Sequence, residues 1–159
     1  MTAVASSEAA KVTLPSDEQI LIVREFDAPR ELIYRAWTTP GLVSRWWSGG
    51  RGEMKSAEIE LRVGGGWRYV MVSGDGAEVA FRGQYREIVP GERLVYTEVF
   101  EPRPDAEALT TVTFSEVEGR TTLEILIQYE NRRDRDAHSM YMGDGLQEAL
   151  DMLEEVASS

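Results

Sequence analysis

A change of hydrophobic period is the feature that most constrains what this chain can fold into. Between Glu58 and Glu130, apolar and polar residues alternate in short runs separated by turns that contain Gly or Pro. Such alternation is typical of β-strands with one buried face. From Met142 to Val156, apolar residues recur every three or four positions instead. This second pattern predicts one long amphipathic helix that begins after Arg133.

The segment before the alternating region predicts one more strand and two short helices. The β-branched run Gln19–Phe26 favours a strand. Asp27 follows it as the candidate N-cap of a first helix, and Pro40 marks the first turn of a second helix. Trp46 and Trp47 are predicted to end this second helix, directly before a pair of glycines.

Together these patterns predict an α+β fold with a curved, seven-stranded antiparallel sheet. The six strands after the short helices are expected at about 58–63, 67–72, 78–88, 93–100, 109–117 and 121–130. Because short turns join them, neighbouring strands are expected to pair in antiparallel fashion. The sheet wraps around the long C-terminal helix, with the two short helices after strand 1. Residues 19–157 form this domain, and residues 1–18 are expected to be a flexible N-terminal tail.

The composition excludes several classes of function. The chain has 28 Asp and Glu against 17 Lys and Arg, a formal net charge of −11, and such a field repels nucleic acid and anionic membranes. It has no Cys and one His, so disulfides and thiolate metal sites are excluded and no cofactor is predicted. The absence of a long apolar run or a signal-peptide pattern predicts no membrane insertion and a cytoplasmic location.

The hollow expected between sheet and helix is the candidate ligand site. Ligand sites are concave and mostly apolar with a few polar groups, and aromatic side chains on successive strands suit a flat or greasy molecule. The residues predicted to line it are Trp46, Trp47, Trp67, Tyr69, Met71, Phe81, Tyr85, Tyr96, Glu98, Met142 and Leu146.

The orientation of strand Arg93–Phe100 is left open by its sequence. Either Tyr96 and Glu98 point into the hollow, or the alternate set that begins at Val95 does. An inward Glu98 would have a raised pKa and could serve as an acid or base. The plainer expectation is that this carboxylate is solvated or paired with an Arg such as Arg82.

Trp46, Trp47 and His138 each have a functional and a structural interpretation. On a helix the two indoles are about 100° apart, so one can anchor the helix while the other lines the cavity entrance. The glycines after them would then form a mobile lip. His138 is expected to be a surface or rim residue, although a single His can also act as a general base.

Several stretches in order resemble a known superfamily. "FDAPRELIYRAWTTPGLVSRWW", "VPGERLVYTEVF" and "GLQEALDMLEE" are similar to START-like (SRPBCC) helix-grip proteins, and within them to the branch named after the activator of the 90-kDa heat-shock-protein ATPase. The resemblance covers residues 20–156 and implies a helix-grip fold that is usually hollow. In that branch a Trp often follows the glycine that corresponds to Gly145, whereas this chain has Leu146. The smaller side chain is expected to leave extra room in the hollow.

The superfamily implies several functions, and the sequence leaves open whether the chain catalyses a reaction. The first hypothesis is binding of a small hydrophobic or aromatic molecule in the hollow. One alternative is a polyketide cyclase-, aromatase- or hydrolase-like enzyme that uses the same cavity. A second alternative is a co-chaperone-like protein-interaction module. A homodimer is compatible with the sequence, but no segment has the pattern of a dimer interface.

Overall fold

The computed structural model of the chain describes residues 9–158, and the side chains of residues 140–144 lie outside that description. The elements are β1 (Lys11–Thr13), β2 (Gln19–Phe26), α1 (Arg30–Thr38), α2 (Pro40–Val43), β3 (Gly52–Ile59), β4 (Gly66–Ser73), β5 (Glu78–Val89), β6 (Arg93–Phe100), β7 (Ala108–Val117), β8 (Arg120–Gln128) and α3 (Arg132–Ser158).

The strands form one curved antiparallel sheet in the order β1-β2-β8-β7-β6-β5-β4-β3. Strands β3 to β8 follow one another along the sheet, as their short connections require. Strand β2 lies beside β8, so α1 and α2 carry the chain from β2 to the far edge of the sheet. Helix α3 packs against β2 and α1, and the core lies between it and the sheet. No helix within residues 9–158 is long and apolar enough to cross a bilayer.

The predicted strand count was wrong, because the sheet has eight strands rather than seven. The additional strand, β1, comes from the segment that was expected to be a tail, and it pairs with β2. All three of its residues are exposed. A three-residue strand without a buried face shows no alternation, so its sequence carries no strand signal. Residues 1–8 lie outside the described part of the chain.

Strand β3 occupies Gly52–Ile59 instead of the predicted 58–63. Leu61 and Val63, which continue the alternation in the sequence, are 42% and 61% exposed. The chain turns here, and Gly64, at φ +87°, donates its N–H to the Tyr85 carbonyl oxygen at 2.8 Å. The β3–β4 turn is therefore bonded to β5, and its apolar residues face outward.

The helix boundaries differ in detail from those expected. Helix α1 has Pro29 at its N-cap without a side-chain cap, and the Asp27 N–H donates instead to Glu154 Oε2 at 2.9 Å. Helix α2 ends at Val43, so the two adjacent indoles lie in the turns that follow. Helix α3 begins at Arg132, directly after Asn131, whose Oδ1 accepts the N–H of the third helical residue at 2.8 Å.

A buried ion-pair cluster fastens the C-terminal half of α3 to the sheet. The Arg24 side chain on β2 is 1% exposed, and it donates to Asp151 Oδ1 at 2.6 Å and to Glu154 Oε1 at 3.3 Å. Its guanidinium carbon also lies 4.8 Å from the centroid of the Phe26 ring. Buried charges need such partners because the loss of water is costly. These contacts, here called the Arg24 cluster, join α3 to β2.

A second set of bonds holds the N-terminal half of α3. Buried Arg135 donates from Nη1 to the carbonyl oxygens of Ser16 and Gln19 at 2.7 and 3.2 Å. Further along the helix, Gln147 exchanges two hydrogen bonds with the backbone of Ala10, at 2.9 and 3.1 Å. Helix α3 is thus tied to the segment around β1 as well as to the sheet.

Candidate functional site

The main cavity of the protein lies between the sheet and α3 and has a volume of about 120 Å³. Five strands form its floor, α1 and the segment between α2 and β3 form one wall, and α3 covers it. The lining residues are Ile22, Trp37, Trp46, Trp47, Arg51, Phe81, Tyr96, Glu98, Thr110, Ile125, Ile127, His138, Leu146, Ala149 and Leu150.

A smaller space of about 20 Å³, here called the aromatic lobe, adjoins the main cavity. Its lining residues are Trp37, Trp47, Trp67, Tyr69, Tyr85, Tyr96 and Glu98, four of which also line the main cavity. The Trp67 ring centroid lies 4.7 Å from that of Tyr69 and 5.5 Å from that of Tyr96. Burial raises the pKa of the Tyr69, Tyr85 and Tyr96 phenols, so these groups remain protonated. The lobe itself has room for one water molecule.

The pairing between β5 and β6 is interrupted beside the aromatic lobe. The strands pair at Arg82 and Val99, and again at Tyr85 and Tyr96, but not in between. Glu98 lies in this gap and pairs only with β7. The regular ladder is therefore interrupted beside Glu98, the carboxyl group that lines both cavities among the described residues.

The gap is stabilised by side chains that replace the missing ladder bonds. The Trp67 indole N–H donates to the Thr97 carbonyl oxygen at 3.2 Å, and the Gln84 N–H donates to Thr97 Oγ1 at 2.9 Å. Trp67 can reach across β5 because its neighbour there is Gly83. A Cβ at Gly83 would overlap the Thr97 carbonyl oxygen and lie 2.5 Å from Trp67 Nε1. The glycine is therefore required by the close approach of the indole.

Glu98 is a half-buried carboxyl group with few partners. Thr110 Oγ1 donates to its Oε1 at 3.2 Å. Burial raises the pKa of Glu98, while the Thr110 hydrogen bond and the charge of Arg51 oppose that rise. Among the described residues, no Lys, Arg or His nitrogen lies within 4.0 Å of its oxygens. Arg82, the partner expected from the sequence, lies 3.8 Å from Glu101 instead.

Arg51 lines the main cavity while keeping part of its side chain in solvent. It donates from Nε to the Ser48 carbonyl oxygen at 3.3 Å and from Nη2 to the Trp47 carbonyl oxygen at 3.4 Å. Its guanidinium carbon lies 5.8 Å from the Trp47 ring centroid. Burial lowers the pKa of Arg51, and the charges of Glu98 and Glu148 oppose this. The guanidinium is thus held at the cavity mouth by backbone oxygens.

His138, expected at the surface or the rim, lines the main cavity from α3 and is half-buried. Its ring meets that of Tyr129 edge-on at 5.5 Å. Burial, and secondarily the charge of Arg51, lowers the pKa of His138 from 6.5 to about 4. The imidazole is therefore neutral near pH 7.

We expect His138 to make the protein less stable in mild acid. Between pH 6.5 and about 4 the unfolded chain binds a proton at this position and the folded chain does not, so stability falls as pH decreases through that window. The shift corresponds to about 2 kcal/mol after allowance for partial exposure. Glu98 has the opposite effect on the pH dependence of stability. Its pKa is raised in the folded chain, so its contribution to stability falls as pH increases.

The measurement is urea unfolding at pH 4.5 and pH 7 for the parent chain and His138→Gln. The variant should show a smaller acid-dependent difference than the parent chain, while groups with lowered pKa values such as Asp75 and Glu101 keep their contributions. Equal pH dependence in both proteins would contradict the low pKa of His138, which an NMR titration of the imidazole reports directly.

The two adjacent indoles have different environments. Trp46 is 3% exposed and donates its indole N–H to the Ala36 carbonyl oxygen at 2.9 Å, so it anchors the turn to α1. Trp47 is half-buried, lines both cavities and contacts the rings of Tyr69 and Phe81 at 5.1 and 4.8 Å. Trp46 thus anchors the turn while also lining the main cavity, and Trp47 forms part of the wall of both cavities.

The glycines after these indoles are packed rather than free of contacts. Gly49 has a φ of +58°, and a Cβ there would lie 2.8 Å from the Gly145 carbonyl oxygen of α3. Gly52 already belongs to β3. The mobile lip expected from the sequence is therefore a segment that contacts helix α3.

The structure brings most of the predicted site residues together around the two cavities. Met71 is 6% exposed but lines neither space, and the side chain of Met142 lies outside the described residues. Trp37, Arg51 and Thr110 line the main cavity but were not among the predicted site residues. Trp37 had a helical core pattern, and the other two gave no signal that distinguishes them from surface residues. Within the described part of the chain, no three His, Asp or Glu residues converge as a metal site requires.

Comparison with solved structures confirms the resemblance in fold. A protein from Rhodobacter sphaeroides is 25% identical, with a TM-score of 0.86 over 94% of this chain and 98% of that one. A protein from Nitrosomonas europaea is 22% identical, with a TM-score of 0.80 over 91% and 97%. An AHSA1-like protein from Aeromonas hydrophila is 21% identical, with a TM-score of 0.64 over 87% and 92%. The last two likenesses concern the fold alone.

Sequence comparison assigns the family. A search of curated proteins found no match. The family profile described as "Activator of Hsp90 ATPase homolog 1-like protein" matches residues 27–158, which is most of the chain. Together with the curved sheet and the long C-terminal helix, this match shows that the chain belongs to that family, within the START-like helix-grip superfamily.

Proposed function

We propose that the protein binds a small hydrophobic or aromatic molecule in the main cavity. The observation that carries this proposal is a cavity of about 120 Å³ under α3. Its walls are mainly aromatic and aliphatic, with a few polar groups from Glu98, Thr110, Arg51 and His138. That combination is typical of ligand sites.

The cavity volume limits the size of the occupant. An apolar cavity of about 150 Å³ binds benzene, and drug-sized ligands need roughly 300 Å³ or more. A volume near 120 Å³ therefore suits a single ring or a group of similar size. Burial of a ligand with about 150 Å² of apolar surface contributes roughly 4 kcal/mol before the costs of association.

The two alternatives from the sequence have less support. For the co-chaperone role, the exposed large apolar residues belong to separate elements, namely β1, the β3–β4 turn, and the ends of β6 and β7. For the enzyme role, the cavity brings Glu98 and His138 to one space, but no hydrogen bond or ion pair joins these two described residues. A cytoplasmic location and a homodimer stay predictions.

Leu146→Trp tests the proposal, because Leu146 lines the main cavity from α3. The larger indole fills space that a ligand would use, so binding of fluorobenzene should weaken by about tenfold or more, which is 1.4 kcal/mol. The measurement is ¹⁹F NMR titration. Leu146→Met is the matched control, because it conserves volume and should bind fluorobenzene as the parent chain does. Absence of fluorobenzene binding by the parent chain, or equal binding by Leu146→Trp, would contradict the proposal.

A further inference from the structure

The carboxyl group of Glu98 is under-partnered for its surroundings. It faces the two cavities, yet within the described part of the chain its one hydrogen bond comes from Thr110, at 3.2 Å to Oε1. Its other oxygen has no hydrogen bond from the described residues. The half-buried carboxyl group can therefore accept further hydrogen bonds, and a ligand that brings a positive charge or donors would supply them.

The other walls of the aromatic lobe suit a positive charge as well. Six aromatic side chains line it, and three of them, Trp37, Trp47 and Tyr96, also line the main cavity, where a group larger than water has room. A cation within about 6 Å of such ring centroids is attracted by their quadrupoles, and this attraction grows when water is excluded. Aromatic walls around one carboxyl group are the arrangement that recognises alkylammonium groups.

The cationic groups of the cavity are poorly placed to hold an anion. Arg51 directs two of its N–H groups to the carbonyl oxygens of Trp47 and Ser48 and is partly exposed. His138 is neutral near pH 7, with its pKa at about 4. The formal net charge of −11 also attracts cations to the protein and repels anions.

We propose that the ligand of the main cavity is a small organic cation of the alkylammonium class, whose charged group lies beside Glu98 where the main cavity meets the aromatic lobe. This inference rests on the proposed function and specifies its ligand. A trimethylammonium group is similar in size to benzene, so it fits the space of about 120 Å³. The charge would then be shared between the carboxylate and the surrounding rings.

Three probes of nearly equal shape and different charge test this inference. They are tetramethylammonium, tert-butanol and pivalate, with binding followed by NMR titration of the indole signals at pH 8. We expect tetramethylammonium to bind about tenfold or more tightly than tert-butanol, and pivalate to bind most weakly. Tighter or equal binding of tert-butanol would overturn the inference, and so would preferred binding of pivalate.

Charge-matched variants identify the group that is responsible. Glu98→Gln should reduce tetramethylammonium affinity about tenfold, whereas Glu78→Gln, which makes the same change in net charge at an exposed residue paired with Lys55, should not. Arg51→Gln removes a like charge from the cavity wall and should strengthen binding a few-fold. Unchanged affinity in Glu98→Gln, or a loss of binding in Arg51→Gln, would overturn the inference.

The parent chain provides a test that needs no variant. Because burial raises the pKa of Glu98, tetramethylammonium affinity should increase with pH as this carboxyl group ionises, which an NMR titration of Glu98 follows in parallel, while fluorobenzene affinity stays constant. A flat profile for tetramethylammonium would contradict a role for the carboxylate. If fluorobenzene binds and tetramethylammonium does not, the cation inference falls and the proposed function stands. If neither binds, both fall.

Discussion

Gly83→Val is expected to destabilise the protein by roughly 3–5 kcal/mol, the largest effect of a single substitution considered for this chain. A side chain at this position overlaps the Thr97 carbonyl oxygen and crowds Trp67 Nε1. The indole must then move, and its buried hydrogen bond to Thr97 is lost. The cost combines overpacking of a close backbone contact with unsatisfied buried polar groups.

Gly66→Val is the matched control for this substitution. Gly66 also lies in a strand, at an exposed position, and a Cβ there would meet its nearest atom at an ordinary distance of 3.6 Å. Its effect on the free energy of unfolding should stay within about 1 kcal/mol. Urea unfolding measures both variants, and the indole N–H signal of Trp67 reports whether its hydrogen bond persists. Equal stability of the two variants would show that β5 can accept a side chain at Gly83.

Asp151→Asn combined with Glu154→Gln should cost about 3–5 kcal/mol of stability, the second large effect. These changes leave the Arg24 guanidinium, whose side chain is 1% exposed, without a counter-charge in the core. Arg24→Met should cost less. It replaces the buried ion with an apolar side chain, and the carboxylate of Asp151, whose side chain is 63% exposed, remains solvated.

The exposed ion pair Lys55–Glu78 is the control for the variants of the buried Arg24 cluster. Both side chains are more than half exposed, so Glu78→Gln should change stability by less than about 0.5 kcal/mol. Urea unfolding at constant ionic strength compares all the variants. If Arg24→Met were more costly than the double carboxylate variant, packing of the Arg24 side chain rather than its charge would dominate the cluster.

Most of the sheet follows from local pattern, because strands with one buried face must alternate. The exceptions have physical reasons. Strand β1 has no buried residue and is paired only through its backbone to β2. The β3 boundary was misplaced because Leu61 and Val63 continue an alternation that no neighbouring element buries. Alternation alone therefore does not show where a strand ends.

The sequence predicted those residues of the candidate site that are aromatic and lie at inward-facing strand positions. The orientation of β6 was not, because apolar residues lie on both of its faces, and Val95 and Tyr96 are 8% and 9% exposed. Arg24 gave no signal in its strand, since its partners Asp151 and Glu154 are more than 120 residues away in sequence. Such contacts depend on tertiary packing, which a single sequence does not encode locally.

For the proposed ligand, the attachment of α3 on both sides of the main cavity would limit how far the helix can move. Arg135 holds the helix before His138, and the Arg24 cluster holds it after Leu146, while these two lining residues lie between the fastenings. A guest that displaces the helix would have to break a buried ion pair, and at about 3–5 kcal/mol that rupture would weaken association by at least ~100-fold. The anchoring of α3 therefore favours guests that leave the helix in place, including any that extend past Arg51 toward solvent.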